Sequence, residues 1–197
     1  MSNQNENLVP TLQPSEFLYS PGNRFIDPYK VLVGAGLKSG YIVGDFGAGG
    51  GFYATAAAQI VGDKGTVYAI DVQEAPLKNI TAEARMRSLR NITTLRCDLT
   101  KHDFCPVPAV SCDFIILANI LHQAEDKKAV IATTYRSLKT GGQALVIEWE
   151  PTGGSFGPSI SSRISEQEVA KLFTENGFKP GRKIPADPYH YAVTYIK

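Results

Sequence analysis

Tyr41-Ile42-Val43-Gly44-Asp45-Phe46-Gly47-Ala48-Gly49-Gly50-Gly51 joins a short apolar run to an acid and then to a glycine loop, and an Ala-rich stretch from Phe52 to Ile60 follows at once. Apolar alternation stops at Asp45, glycines stand at alternate positions 47, 49 and 51, and the composition then turns helical, so the order reads strand, turn, helix. Glycine suits such a turn because it accepts positive φ without a Cβ penalty and lets a ligand approach bare backbone. The loop reads as a nucleoside-type site. A dinucleotide loop of the Gly-x-Gly-x-x-Gly kind needs glycine at 52, where Phe52 stands, and the fit is to Gly-x-Gly-x-Gly instead. Asp71 closes the next apolar run, Thr66-Val67-Tyr68-Ala69-Ile70, twenty residues past Gly51. A carboxylate ending a second strand beside the loop can accept both hydroxyls of a ribose.

The chain has 197 residues and 43% apolar content, enough for one substantial core. Twenty basic against nineteen acidic residues leave a formal charge of +1, so no nucleic-acid partner and no attraction to anionic membrane are expected. Met1 to Asn7 lack a basic start and an apolar core, and no stretch approaches the roughly 20 apolar residues of a membrane span, so a cytoplasmic protein is expected. Cys97, Cys105 and Cys112 are too few and too evenly spread for a disulfide framework or a zinc knuckle, and reduced thiols with no metal are the expectation.

Residues 1–26 are polar and Pro-punctuated, with aromatics at Phe17, Tyr19 and Phe25, and read as a leader or lid ahead of a domain over 27–197. Asp27-Pro28 is a helix start, with an acid at the cap and Pro at the first helical position. The pattern predicts strands over 41–46, 66–71, 92–97, 113–118 and 143–149 alternating with helices over 51–61, 75–90 and 125–139. Lys139-Thr140-Gly141-Gly142 reads as a helix stop and turn. After a Gly/Pro/Ser-rich linker over 151–159, Ser165-Glu166-Gln167-Glu168 opens a helix over 165–176, and two strands end the chain. Repeated strand and helix units imply a parallel α/β sheet with its ligand crevice beyond the carboxyl ends of the strands. Arg85, Arg87 and Arg90 read as a solvated helix face.

The segments Gly62-Asp63-Lys64-Gly65-Thr66-Val67-Tyr68-Ala69-Ile70-Asp71, Cys97-Asp98-Leu99, Ala118-Asn119-Ile120-Leu121-His122 and Lys139 to Trp149 join the glycine loop in an order that resembles the class I S-adenosylmethionine-dependent methyltransferases. The likeness runs from about Pro28 to Tyr191 and is to the small-molecule type, similar to the quinone-biosynthesis methyltransferases. It implies a Rossmann-like doubly wound sheet of seven strands, the last antiparallel, with the cofactor over the first, second and fourth. It further implies Asp45 and the backbone of Gly47, Ala48 and Gly49 along the methionine part of S-adenosylmethionine. Asp71 would then hold the ribose, Asp98 the adenine amino group, Leu99 and Val72 the faces of the ring, and Asn119 the region of the sulfonium. Relatives often carry Cys where Ala48 stands. Asp71 also reads as a helix cap and Asp98 as a turn carboxylate, whereas Asp45, ending a buried strand, needs partners.

The acceptor side is less legible. Methyl transfer from a sulfonium is an in-line displacement that can rest on positioning and desolvation, so no catalytic triad is required. His122, just past the fourth strand, is the candidate general base for a hydroxyl or phenol acceptor, and it also reads as a packing histidine. Phe17 and Tyr19 in the leader, Glu148 and Trp149, and Arg163 with His190 are candidate walls for a small-molecule acceptor; a salt bridge for Arg163 and strand packing for Tyr189-His190-Tyr191 read equally well. Asn119-Ile120-Leu121-His122 lacks the Pro-Pro-aromatic turn of enzymes that methylate planar amino groups, which disfavours nucleobases. Three other readings compete. Gly34-Ala35-Gly36 and the Tyr135-x-x-x-Lys139 spacing suggest an NAD(P)-dependent oxidoreductase, but Gly36 is followed within four residues by another turn, and His122 or Gln123 stands where its catalytic Ser is expected; the cysteines suggest a metalloid methyltransferase, though their spacing favours packing and loop thiols; and the fold could serve a non-catalytic cofactor-binding scaffold, against which the intact loop and acids argue.

Overall fold

The computed structural model describes residues 26–101, 105–152 and 156–197. Phe17, Tyr19 and Phe25 of the expected lid lie outside the described residues. Seven strands form one sheet: β1 (Ile42–Phe46), β2 (Thr66–Asp71), β3 (Ile92–Arg96), β4 (Cys112–Ala118), β5 (Leu138–Trp149), β6 (Lys179–Ile184) and β7 (His190–Ile196). Their order is β3-β2-β1-β4-β5-β7-β6. The first five run parallel, and β7 is antiparallel to both of its neighbours, as the family resemblance implies.

Helices cover both faces. Because strand side chains alternate, Ile116 and Ile115 on β4 enter different cores. The first core packs Phe114 and Ile116 with α1 (Pro28–Ala35), α2 (Phe52–Val61) and Leu77 and Ile80 of α3 (Glu74–Met86). The second packs Ile115 and Leu117 with Val130 and Ile131 of α4 (Lys127–Ser137) and Val169 and Phe173 of α5 (Glu166–Glu175). Phe173 stacks on Tyr195 with ring centroids 4.2 Å apart, a contact whose loss in Phe173→Ala would cost about 3–5 kcal/mol. Four alanines of α2 are buried, so this helix lies close to the sheet behind the glycine loop.

The starts of α1 and α5 are those the sequence predicts. Asp27 accepts the Lys30 N–H at 3.2 Å, with Pro28 at the first helical position, and Ser165 accepts the Glu168 N–H at 3.2 Å. Two boundaries move furthest. Helix α3 stops at Met86 rather than 90, because Ser88 takes φ 57° and the Leu89 N–H turns back to the Ala84 carbonyl. Strand β5 begins at Leu138 rather than 143, because Leu138 pairs with Cys112 and the Gly141 N–H bonds the Lys197 carbonyl, which draws the expected turn into the sheet.

The cysteine expectation is corrected. Cys97 and Cys105, eight residues apart, are joined by a disulfide with Cα atoms 5.1 Å apart, and Cys112 is the free, buried thiol. The chain after β3 doubles back and brings together two thiols whose spacing in sequence carries no such sign. Burial pushes the Cys112 thiol up to about 11. No helix among the described residues is long and apolar enough to cross a membrane.

Candidate functional site

Strand β1 lies between β2 and β4, so the chain leaves it in one direction for β2 while β4 returns on the other side. The loops there diverge and leave a crevice at the carboxyl ends of the strands. A cleft of about 900 Å³ occupies it, a size suited to a nucleoside-bearing ligand. Each strand from β1 to β4 contributes a wall, and Asp45, Gly47, Ala48, Gly49, Asp71, Val72, Asp98, Leu99 and Asn119 all line it.

The glycine loop is shaped by what surrounds it. The N–H groups of Gly47 and Ala48 both bond the Ile70 carbonyl at 2.8 Å, and the Gly49 N–H bonds Asp71 Oδ2 at 2.9 Å. Gly47 has φ 78°, and a Cβ there would strike the Ile120 side chain; at Gly51, with φ 81°, it would meet Ile80 Cγ1 at 2.6 Å. Gly49 has φ 49° and nothing within 4 Å of the place a Cβ would take. Only glycine satisfies the first two positions without displacing Ile120 or the buried Ile80, and the third leaves bare backbone.

Asp45 is 2% exposed, and its Oδ2 has no hydrogen-bond partner. Burial pushes its carboxyl up to about 7; the Ala54 N–H works against that and the Asp71 charge adds to it. An orphaned carboxylate oxygen on the wall of a cleft demands a donor or a cation. Tyr53, in the first turn of α2, lines the same cleft with a hydroxyl that is also buried and unpartnered, and its phenol is pushed upward by burial and by the charges of Asp45 and Asp187.

Asp71 lines the cleft and binds two backbone amides. One carboxylate oxygen holds Gly49, and the other accepts at 2.9 Å the N–H of Gln73, the N-cap residue of α3. Asp98 is bound within its turn: Oδ1 accepts from the Thr100 hydroxyl at 2.6 Å and the Thr100 N–H at 3.0 Å, and these bonds, with Lys101 beside Oδ2, hold its carboxyl below its usual range. Val72 is exposed and Leu99 buried, the latter fixed by a bond from the Thr133 hydroxyl to its carbonyl.

The structure draws several acceptor-side candidates away from this cleft. Glu148, wholly buried, accepts the Leu121 N–H at 2.7 Å and the His122 N–H at 3.3 Å on Oε1, while its Oε2 lies 2.7 Å from His122 Nδ1. The pair closes the turn after β4, and neither residue lines the cleft. Arg163 donates to the carbonyls of Glu150, Phe156 and Pro158 and sits 5.7 Å over the Trp149 ring, so it clasps the linker. Trp149 packs against His190 at 4.1 Å between ring centroids. Asn119 takes φ 55° and its amide lies 3.3 Å from His190 Nε2. Asp187, which the sequence reading did not weigh, binds His190 Nδ1; the Asp-Pro turn signal at 187 and 188 marks that acid. Gly34 lies inside α1 and Gly36 caps it, and Tyr135 packs on Phe178 while Lys139 pairs with Asp113, so the motifs of the oxidoreductase reading are built into other parts of the fold.

Residues 44–146 match the methyltransferase domain family. The chain is 30% identical over 182 residues to a ubiquinone/menaquinone biosynthesis C-methyltransferase, UbiE, of Shewanella oneidensis, covering 89% of this chain and 66% of that protein. It is 30% identical over 115 residues to UbiE of Psychromonas ingrahamii, covering 58% of this chain and 45% of that one, so the chain spans less than two thirds of the length of these relatives. Among solved structures, a SAM-dependent methyltransferase from Aquifex aeolicus superposes with TM-score 0.82 at 31% identity over 88% of this chain and 90% of the other.

Proposed function

The chain belongs to the methyltransferase domain family, in its S-adenosylmethionine-dependent class I branch, and from that premise we propose that the whole protein transfers a methyl group from S-adenosylmethionine to a small-molecule acceptor. The observation that carries this reading is the orphaned carboxylate oxygen of Asp45 in a cleft that Asp71 also lines. The residues fit the cofactor. Asp45 would hold the cationic ammonium of its amino-acid end, Asp71 would accept from its two ribose hydroxyls, and Val72, Leu99 and Asp98 would hold its adenine. When bound, the cofactor supplies an electrophilic methyl group on a sulfonium.

The protein's part is to bind and orient. Gly47, Ala48 and Gly49 would line the amino-acid end, with bare backbone at Gly49, and Asn119 lines the same cleft. His122, paired with the buried Glu148, orders the turn that carries Asn119; catalysis then rests on proximity and desolvation. A quinol or phenol is the favoured acceptor class, because the UbiE relatives act in quinone biosynthesis. A cytoplasmic location belongs to the same proposal. Incubation with methyl-labelled cofactor and a panel of quinols, phenols, thiols and amines tests it: label should pass to a quinol or phenol, and tight product binding without transfer to any of them would favour the scaffold reading.

A further inference from the structure

Asn119 lines the cleft, yet its amide is governed from behind. Asp187 accepts three N–H bonds on Oδ1, from the Tyr189 backbone at 2.8 Å, the His190 backbone at 2.8 Å and His190 Nδ1 at 2.9 Å, with Oδ2 3.1 Å from the same ring nitrogen. Both side chains are sequestered, His190 at 6% and Asp187 at 4% exposed. A carboxylate only accepts here, so the hydrogen of the neutral imidazole sits on Nδ1 and Nε2 is left as an acceptor. The group 3.3 Å from Nε2 is the Asn119 amide, and only its N–H₂ end can donate. Its other end, Oδ1, is buried and without a partner in a residue that lines the cleft.

We infer that Asp187 and His190 are positioning residues, which fix the Asn119 amide so that its oxygen, not its nitrogen, faces the ligand. The inference rests on the proposed function and deepens it. Asn119 Oδ1, Asp45 Oδ2 and the Tyr53 hydroxyl are three buried polar atoms without partners on residues of one cleft, and an ammonium has three N–H bonds to offer. On this inference the ligand group they take is the cationic end of the cofactor, and a flipped amide would oppose that cation with a donor. The carbonyl of Asn119 is held as well, by the Gln123 side chain at 2.7 Å, so the backbone at this left-handed residue stays fixed while the amide is the part that can turn.

Two measurements test this. The chain has three histidines, so ring ¹⁵N NMR of the ¹⁵N-labelled wild-type protein, assigned by the loss of one ring in His190→Gln, reads the tautomer directly. A hydrogen on Nδ1 alone is expected; a hydrogen on Nε2 overturns the inference. Calorimetry then compares S-adenosylhomocysteine with 5′-methylthioadenosine, which lacks the amino-acid end. His190→Leu is expected to lose about tenfold in affinity for the first and none for the second, as for one lost hydrogen bond to a charged group. His190→Gln, whose side-chain carbonyl can accept the Asn119 N–H while its amide donates to Asp187, is expected to keep both affinities. Equal loss for the two nucleosides, or no loss for either, overturns the positioning role and leaves the proposed function standing. Wild-type protein that binds neither overturns both.

Discussion

Asp71 Oδ2 accepts the Gly49 N–H at 2.9 Å, so the residue that closes β2 also holds the glycine loop that follows β1. Its second oxygen accepts the N–H of Gln73, the N-cap residue of α3. One carboxylate thus ties together the three elements that wall the cleft on one side. A ligand ribose bound there would meet an acceptor that is already oriented, which lowers the entropy cost of binding.

Removing that carboxylate should therefore be felt in affinity before stability. Asp71→Ala is expected to weaken S-adenosylhomocysteine binding by about 1.5–3 kcal/mol, the range for hydrogen bonds to a charged group, as read by calorimetry. Asp71→Asn, which can still accept the Gly49 N–H, should fall between the variant and the wild type. An unchanged dissociation constant in Asp71→Ala would remove the ribose assignment.

Asp45 links stability to pH with an unusual sign. Its folded carboxyl titrates near 7 against an ordinary 3.8, so between those values the folded protein keeps a proton that the unfolded chain has lost. Stability of the ligand-free protein should fall as pH rises through that window, by on the order of 4 kcal/mol from this group. Asp45→Asn should flatten the slope and raise the melting temperature at pH 8. The same variant should weaken cofactor binding most at pH 8, where the wild-type carboxylate is charged. Parallel pH–stability profiles in wild type and variant would contradict this.

The Cys97–Cys105 disulfide encloses the turn that carries Asp98 and Leu99. Closing so short a loop stabilises by about 2–3 kcal/mol through the unfolded chain. Dithiothreitol should lower the wild-type melting temperature and leave Cys97→Ser/Cys105→Ser unmoved. Reduced and oxidised protein that melt together would remove the bond from the account of stability.

Glu148 is predicted to be structural in its effect. Glu148→Ala would strand the Leu121 and His122 amides and His122 Nδ1, at a cost of about 2–4 kcal/mol in denaturant unfolding. Glu148→Gln keeps an acceptor for the amides and should lose much less. Equal losses would show that the charge, not the hydrogen bonding, holds the turn.

Local signals carried most of the fold. Asp27-Pro28 and Ser165-x-x-Glu168 cap their own helices, and the β1 to glycine-loop transition announces itself within eleven residues, because each depends on neighbours in sequence. The strand boundary at Leu138 depends on a partner far along the chain, Cys112, and the end of α3 on a left-handed turn at Ser88 just beyond it, neither of which composition displays. Site legibility divides in the same way. Residues of the cleft follow strands directly and stand where the strand pattern puts them. The acceptor-side candidates were placed by proximity to strand ends, which does not say where a side chain points; Glu148 turns under the β4 loop and Arg163 turns onto three carbonyls. Asp187 acts across the sheet on Asn119, and the Cys97–Cys105 bond needs the loop to return, so neither could be read from spacing.

A crystal structure of the protein with S-adenosylhomocysteine tests the central claim most directly. The predicted result is one nucleoside in the cleft, with its ribose on Asp71, its amino-acid end against Asp45 and Gly47 to Gly49, and its adenine between Val72 and Leu99. A nucleoside bound elsewhere, or crystals that take up none at saturating concentration, would contradict it.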